Sequence, residues 1–183
     1  SGFEGRLILI GEESSLPYQR PPLSKEFLLG ELDPERLLYR KPEYFEKLSV
    51  ELTLDDAVEK LDASRCTISL RSGRTLKYSK LALATGARVR ALRCVGSDSP
   101  DVYYIRTLAD SLNLRERLQT AKSMVVVGGG FIGLETGAMA CKMGKKVSVV
   151  EASERLMKRA ISPELSEYYL SLHSEKGVDV RVG

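Results

Sequence analysis

The sequence predicts an α/β fold in two parts, a short strand–helix segment leading into a β-strand meander, then a parallel βαβ unit. Three observations predict it. Val125, Val126 and Val127 run into Gly128, a helix-compatible stretch follows from Phe131 to about Met143, and a second apolar run, Val147 to Val150, ends in Glu151. Short strand-like runs crowd the region from Val50 to Ala84. Another short apolar run, Arg6 to Ile10, stops at Gly11-Glu12-Glu13. Strands alternating with helical patterns indicate a parallel sheet, and closely spaced short strands indicate antiparallel pairing.

Taken in order, Arg6–Ile10 is the first strand, with acids at its end. Residues 16–25, LPYQRPPLSK, hold too many prolines for continuous helix. Ser24 can cap a short helix starting at Lys25, and Pro34–Leu38 and Pro42–Leu48 read as short helices with proline in the first turn. Strands follow at Val50–Leu54, Ala57–Asp62, Thr67–Leu70, Thr75–Lys77 and Lys80–Ala84, with a hairpin turn at Ser72-Gly73. Thr85-Gly86 ends this region, and Arg88, Arg90 and Arg93 lie in an irregular stretch. Thr107 or Asp110 opens an amphipathic helix to about Leu118. A helix from Pro163 to Lys176, stopped by Gly177, precedes a last strand, Val178–Val182. The halves meet near Arg106–Ala109, giving units 1–106 and 107–183.

Gly128, Gly130 and Gly133 satisfy G-x-G-x-x-G, with Gly129 and Ile132 between them. Such a loop, placed between a strand and a helix with an acid about 20 residues on, is the dinucleotide fingerprint. Gly128 permits the turn, Gly130 lets backbone approach a pyrophosphate, and Gly133 allows close helix packing. The helix N-terminus offers free N–H groups to phosphate. Glu151 can accept ribose hydroxyls and disfavours a 2′-phosphate, which favours NADH over NADPH. Arg155, Lys158 and Arg159 follow closely. They either bind the adenine end or a phosphate, or form a solvated basic turn.

Composition excludes several classes. The 183 residues are 43% hydrophobic and 29% charged, with a net charge of +3. That is an ordinary globular mixture, too weakly basic to indicate nucleic acid. One histidine, His173, excludes a multi-histidine metal site and reads as a helix-surface residue. Cys66, Cys94 and Cys141 are far apart with no C-x-x-C, which argues against a zinc site, a disulfide scaffold and a redox dithiol. Reduced cysteines, with no signal peptide and no apolar span of membrane length, point to the cytoplasm.

The order LILIGEE, YQRPPLSKEF, SGRTL, YSKLALATGARVRAL, IRTLADS, VVVGGGFIGLE and VVEASERLM resembles the FAD-dependent NADH:ferredoxin reductases of Rieske-type oxygenase and cytochrome P450 systems, with apoptosis-inducing factor more distant. The resemblance runs from Arg6 to Val182. It implies a partial FAD-binding Rossmann-like domain with its meander, followed by a partial NAD-binding Rossmann domain. It implies hydride transfer from NADH to flavin, and single electrons passed to a ferredoxin-type [2Fe-2S] protein. In the FAD half it assigns Glu12 to the ribose, Arg20 and Lys25 to the flavin and its phosphates, Val58 to the adenine, and Thr85, Gly86 and Arg106 to further contacts. Gly128 to Gly133, Glu151 and Arg159 belong to the NAD site. Glu135 reaches the nicotinamide side close to Lys25, and the two carry the catalytic roles. Their opposite charges, in a partly dry cleft, are expected to pair across the domain boundary when no nicotinamide is bound. The family's first glycine fingerprint and its later Gly-Asp segment have no counterpart here, so the chain reads as an internal fragment. A non-catalytic NAD(H)-binding module is the alternative.

Overall fold

The computed structural model describes residues 3–183. The chain forms two compact units. One contains the residues up to Gln19 together with Leu37–Ala87, and the other contains Arg20–Arg36 together with Arg88–Gly183.

In the first unit, β1 (Leu7–Ile10) runs parallel to β2 (Val50–Thr53), with Leu7 opposite Val50 and Ile10 opposite Thr53. The Gly11 N–H extends this ladder onto the Thr53 carbonyl at 2.9 Å. α3 (Pro42–Lys47) starts on proline, as the fixed φ of that residue favours, and so does α2 (Pro34–Leu37), which belongs to the second unit up to Arg36. An antiparallel meander follows: β3 (Val58–Asp62), β4 (Thr67–Leu70) and β5 (Thr75–Lys77). Its buried side is carried by Ile68 and Leu70. The β4–β5 turn falls at Ser72-Gly73, where the Gly73 N–H donates to the Leu70 carbonyl. Asp56 secures that turn by accepting from the Ser72 hydroxyl at 2.7 Å and the Ser72 N–H at 2.9 Å. The expected strand at Lys80–Ala84 is irregular. Its alternating Leu81 and Leu83 suit a pleated surface, but a strand exists only with a neighbour to bond. Among the described residues none pairs with it, and Leu83 stays 70% exposed.

The second unit is built on an all-parallel sheet in the order β6 (Ser123–Val127), β7 (Lys146–Glu151), β8 (Val178–Val182). The period-2 pattern sets its inner face. Val147, Val149 and Val178 are buried beside Met124 and Val126, whereas Val125 and Val127 point outward. α5 (Phe131–Lys142) crosses from β6 to β7, and α6 (Pro163–Glu175) from β7 to β8. α5 lies close on the sheet at Gly137. A methyl group there would already touch Val149 and Val147 at 3.4 and 3.5 Å. α4 (Leu108–Thr120) opens on a capping box, in which Thr107 accepts from the Asp110 N–H and Asp110 accepts from the Thr107 N–H. Of the two candidate openers, Thr107 is therefore the cap and Asp110 its partner.

The proline-rich segment packs in this second unit. Pro21–Ser24 is a 3-10 turn, and Lys25 rather than Ser24 caps the short helix α1 (Glu26–Leu29). Phe27 and Leu28 are fully buried, each contributing roughly 2–3 kcal/mol of apolar burial. The fully buried Ser111 of α4 donates its hydroxyl to the Leu23 carbonyl at 2.7 Å. Arg115 reaches the Phe27 carbonyl at 3.4 Å and lies over the Phe27 ring. Among the described residues, no helix is long and apolar enough to cross a membrane.

Candidate functional site

The site grows from the end of β6. Gly128 has φ +112°, a conformation open to glycine and strained for other residues, and this turns the chain out of the strand. Its N–H bonds the Val150 carbonyl at 2.8 Å, which fixes the turn on the tip of β7. Gly133 returns over the turn so closely that a Cβ on it would lie inside 3.0 Å of the Gly128 carbonyl oxygen. Gly129 is enclosed too, because a Cβ there would meet Leu156 and Glu151. Gly130 differs. A Cβ built on it meets nothing within 4 Å, so the backbone is bare on the outer side of the loop. Gly130 is the N-cap of α5 and no side chain caps that helix, which leaves N–H groups facing outward beside Phe131 and Ile132, both more than half exposed. The loop glycines thus divide into three that keep its shape, Gly128, Gly129 and Gly133, and one, Gly130, that keeps a surface clear.

Glu151 stands at the matching end of β7. One carboxylate oxygen accepts the Gly129 N–H at 2.7 Å and the other accepts the Ser153 N–H at 2.8 Å. Burial opposes its ionisation, but these N–H donors, the Ser153 side chain and the nearby Arg159 outweigh it and hold the carboxyl below its ordinary range. Glu151 is therefore an ionised acceptor held at the glycine loop. The three basic residues beyond it do different things. Arg155 is consumed inside the turn, donating to the Ile161 and Lys158 carbonyls and to the Ser166 hydroxyl at 2.8–2.9 Å. Lys158 pairs with Glu154 at 2.9 Å. Arg159 is exposed and acts on Glu151 through its charge.

On α5, one turn beyond the glycine loop, Glu135 meets the proline-rich segment. Lys25 Nζ lies 3.1 Å from Glu135 Oε1, as the opposite charges led us to expect. Both side chains are about one-third exposed, and the pair lies inside the second unit. The other oxygen, Oε2, accepts a 2.6 Å hydrogen bond from the Ser24 hydroxyl. Ser24 is thus a partner of Glu135 and not the helix cap that its position suggests. Arg20 donates to the Arg106 carbonyl at 2.6 Å, which joins two of the expected residues through the backbone of one. Lys25 and Glu135 line one end of a cleft of about 650 Å³ between α5 and α6. His173, expected on a helix surface, lines it as well, and burial lowers its pKa.

The remaining expected residues lie in the first unit. Glu12 follows β1 and pairs with Arg71 at 2.8 Å, while Arg71 also approaches Glu59. Val58 opens β3 and is 46% exposed. Thr85 and Gly86 sit in irregular chain, with Gly86 at φ +65°. An acid at the end of a parallel strand suits a ribose. Among the described residues, however, only the Gly128–Gly133 loop joins a parallel strand to a helix through glycines. The residues present therefore fit the pyrophosphate and adenosine ribose of a dinucleotide at the Gly128–Gly133 loop, and an adenosine ribose at Glu12.

Sequence reasoning missed Ser24, Arg71 and Ser153 as partners of the expected acids. The Ser153 contact is a backbone N–H to a carboxylate two residues earlier, which any non-proline residue can supply, so residue type did not mark it. Ser24 and Arg71 reach acids 111 and 59 residues away, and no local pattern reports such pairs.

The chain matches the model of the pyridine nucleotide-disulphide oxidoreductase family over residues 1–183. It is 41% identical over 181 residues to rhodocoxin reductase of Rhodococcus erythropolis, covering 99% of this chain and 42% of that protein. Its fold superimposes with a TM-score of 0.95 and 42% identity on the ferredoxin reductase for the CYP199A2 system from Rhodopseudomonas palustris, over 100% of this chain and 45% of that one. It superimposes at 0.91 and 34% identity on a chain of the covalent putidaredoxin reductase–putidaredoxin complex, over 100% of this chain and 44% of that one. The chain spans less than half the length of these relatives. The glycine loop, its acid and a match over the whole chain place it in one group: the chain belongs to the pyridine nucleotide-disulphide oxidoreductase family.

Proposed function

We propose that this chain supplies the NADH site and part of the flavin site of an FAD-dependent NADH:ferredoxin reductase. The observation that carries this reading is the bare backbone at Gly130 in a loop whose Gly129 N–H binds the ionised Glu151 and whose helix carries Glu135, paired with Lys25. A dinucleotide is long enough to need all three. Its pyrophosphate suits the uncapped start of α5. Its adenosine ribose suits Glu151, and its nicotinamide then lies toward Glu135. In this reading residues 107–183 are the NAD-binding domain and residues 1–106 the FAD-binding part, and Glu12, Arg20, Lys25, Val58, Thr85, Gly86 and Arg106 are its candidate flavin-dinucleotide contacts.

When bound, the two cofactors supply hydride transfer from nicotinamide to flavin and single-electron release to an iron–sulfur protein. The chain supplies alignment and charge. Glu135 accepts the nicotinamide carboxamide. The Lys25 ammonium favours negative charge developing on the reacting rings. NADH is preferred over NADPH, because Glu151 repels a 2′-phosphate and Arg155 and Lys158 are already engaged. All three cysteines are free thiols, with Cys66 and Cys94 exposed and Cys141 half-buried, so electrons leave through the flavin and not through a dithiol of this chain. The acceptor is a ferredoxin-type [2Fe-2S] protein, in keeping with the names of the relatives, and the enzyme works in the cytoplasm without nucleic acid or membrane.

The test is made on the full-length protein that carries this chain. It should purify yellow, its flavin bands should bleach on addition of NADH, and a [2Fe-2S] ferredoxin should restore them. A colourless protein that still binds NADH would favour the non-catalytic binding module instead.

A further inference from the structure

Glu135 is held by two groups, one on each oxygen. Lys25 Nζ approaches Oε1 at 3.1 Å and the Ser24 hydroxyl donates to Oε2 at 2.6 Å. The two contacts differ in kind. Lys25 is about one-third exposed, with a long stem that swings at little cost. Ser24 is 4% exposed, has one rotatable bond, and closes a 3-10 turn whose Leu23 carbonyl is tied to the fully buried Ser111. The Pro21 carbonyl, 3.5 Å away, competes weakly for its proton. The serine contact is therefore the fixed one and the lysine contact the exchangeable one.

We infer that Ser24 is a positioning residue that pins Oε2 of Glu135, so that Oε1 alone is exchanged between Lys25 and the nicotinamide carboxamide. This rests on the NADH site described above. Arrival of the carboxamide N–H at Oε1 displaces Lys25, whose charge is then released toward the nicotinamide end of the site. The carboxylate keeps its orientation throughout because Ser24 does not let go. Without that hydroxyl, Glu135 rotates freely and the nicotinamide loses an aligned acceptor. The adenosine and pyrophosphate contacts, which belong to Glu151 and the glycine loop, are unaffected.

The experiment is calorimetric titration of the full-length protein that carries this chain, with its flavin reduced beforehand under anaerobic conditions, with NADH and with ADP-ribose, which lacks the nicotinamide. Ser24→Ala should weaken NADH binding by about tenfold, the worth of one hydrogen bond to a charged group. ADP-ribose affinity should stay within about twofold, and Ser24→Thr should restore NADH binding. Equal losses for both ligands, or no loss for either, overturn the inference. Wild-type full-length protein that binds neither ligand refutes the glycine-loop site itself, and the inference with it. A measurement on the wild type covers the case in which Ser24→Ala does not fold. The Lys25 Nζ resonance should move on addition of NADH and hold still with ADP-ribose; the same response to both ligands overturns the exchange on Oε1.

Discussion

Adding one methyl group at each of two loop glycines should produce opposite effects. At Gly133 the new Cβ falls inside 3.0 Å of the Gly128 carbonyl oxygen, with the Gly128 carbonyl carbon and Val126 Cγ1 both at 3.2 Å. The atoms met are mostly backbone, and that backbone is held by the 2.8 Å bond from Gly128 to Val150. Relief must come from moving the turn or the start of α5. Overpacking of this kind costs 1–3 kcal/mol, and a backbone obstacle places Gly133→Ala near the upper end, about 3 kcal/mol. For a chain of this length the corresponding loss in Tm is roughly 6–12 °C. At Gly130 φ is −85° and nothing lies within 4 Å, so Gly130→Ala loses only the N-cap preference of Gly over Ala, roughly 0.5–1 kcal/mol, and should lower Tm by no more than about 4 °C. Its methyl projects where the pyrophosphate passes, and NADH affinity should fall at least about tenfold. Thermal melts followed by calorimetric titration with NADH read both effects. A Gly133→Ala variant that melts with the wild type would deny the close approach. A Gly130→Ala variant with wild-type affinity would put the phosphates elsewhere.

Two further outcomes concern the acid and the basic turn behind it. Glu151→Gln should bring the NADH and NADPH dissociation constants closer together. The folded-state pKa of Glu151 is depressed below its ordinary 4.5, so its contribution to stability is present above that pH and is lost as pH falls through the folded value. The variant should therefore be about 1 kcal/mol less stable at pH 7, allowing for partial exposure, with the gap closing in denaturant melts as pH falls below 4.5 and through the lower folded value. Arg155→Ala removes three hydrogen bonds from the turn and should lower stability by about 2 kcal/mol while leaving the NADH/NADPH affinity ratio unchanged. A rise in NADPH dissociation constant alone would mean that Arg155 does reach a 2′-phosphate.

The elements legible in the sequence are those whose signals are local. Strands β4, β5 and β8 fall where their apolar runs and flanking turns set them, and α5 begins directly after Gly130. Lys80–Ala84 misled because alternation reports a side-chain pattern, whereas a strand needs a neighbouring edge, and that edge is a property of the fold. The site was legible to the same extent. The glycines and Glu151 form one contiguous βαβ unit, so spacing alone exposed them. Lys25 and Glu135 came from a family resemblance with a charge argument added, and their pairing is found at 3.1 Å. Ser24 was read as a helix cap because serine before a short helix usually is one. Its hydroxyl instead turns to a carboxylate 111 residues away, since Lys25 takes the cap position and Glu135 offers a stronger, charged acceptor.

The central claim, that the Gly128–Gly133 loop binds NADH between Glu151 and the Lys25–Glu135 pair, is tested most directly by amide chemical-shift mapping of this chain during titration with NADH. We predict saturable shifts at Gly128 to Gly133, at Ser153 as Glu151 turns to the ribose, and at Ser24, Lys25 and Glu135 as the nicotinamide arrives. Shifts absent at saturating NADH, or confined to residues away from these three positions, would contradict it.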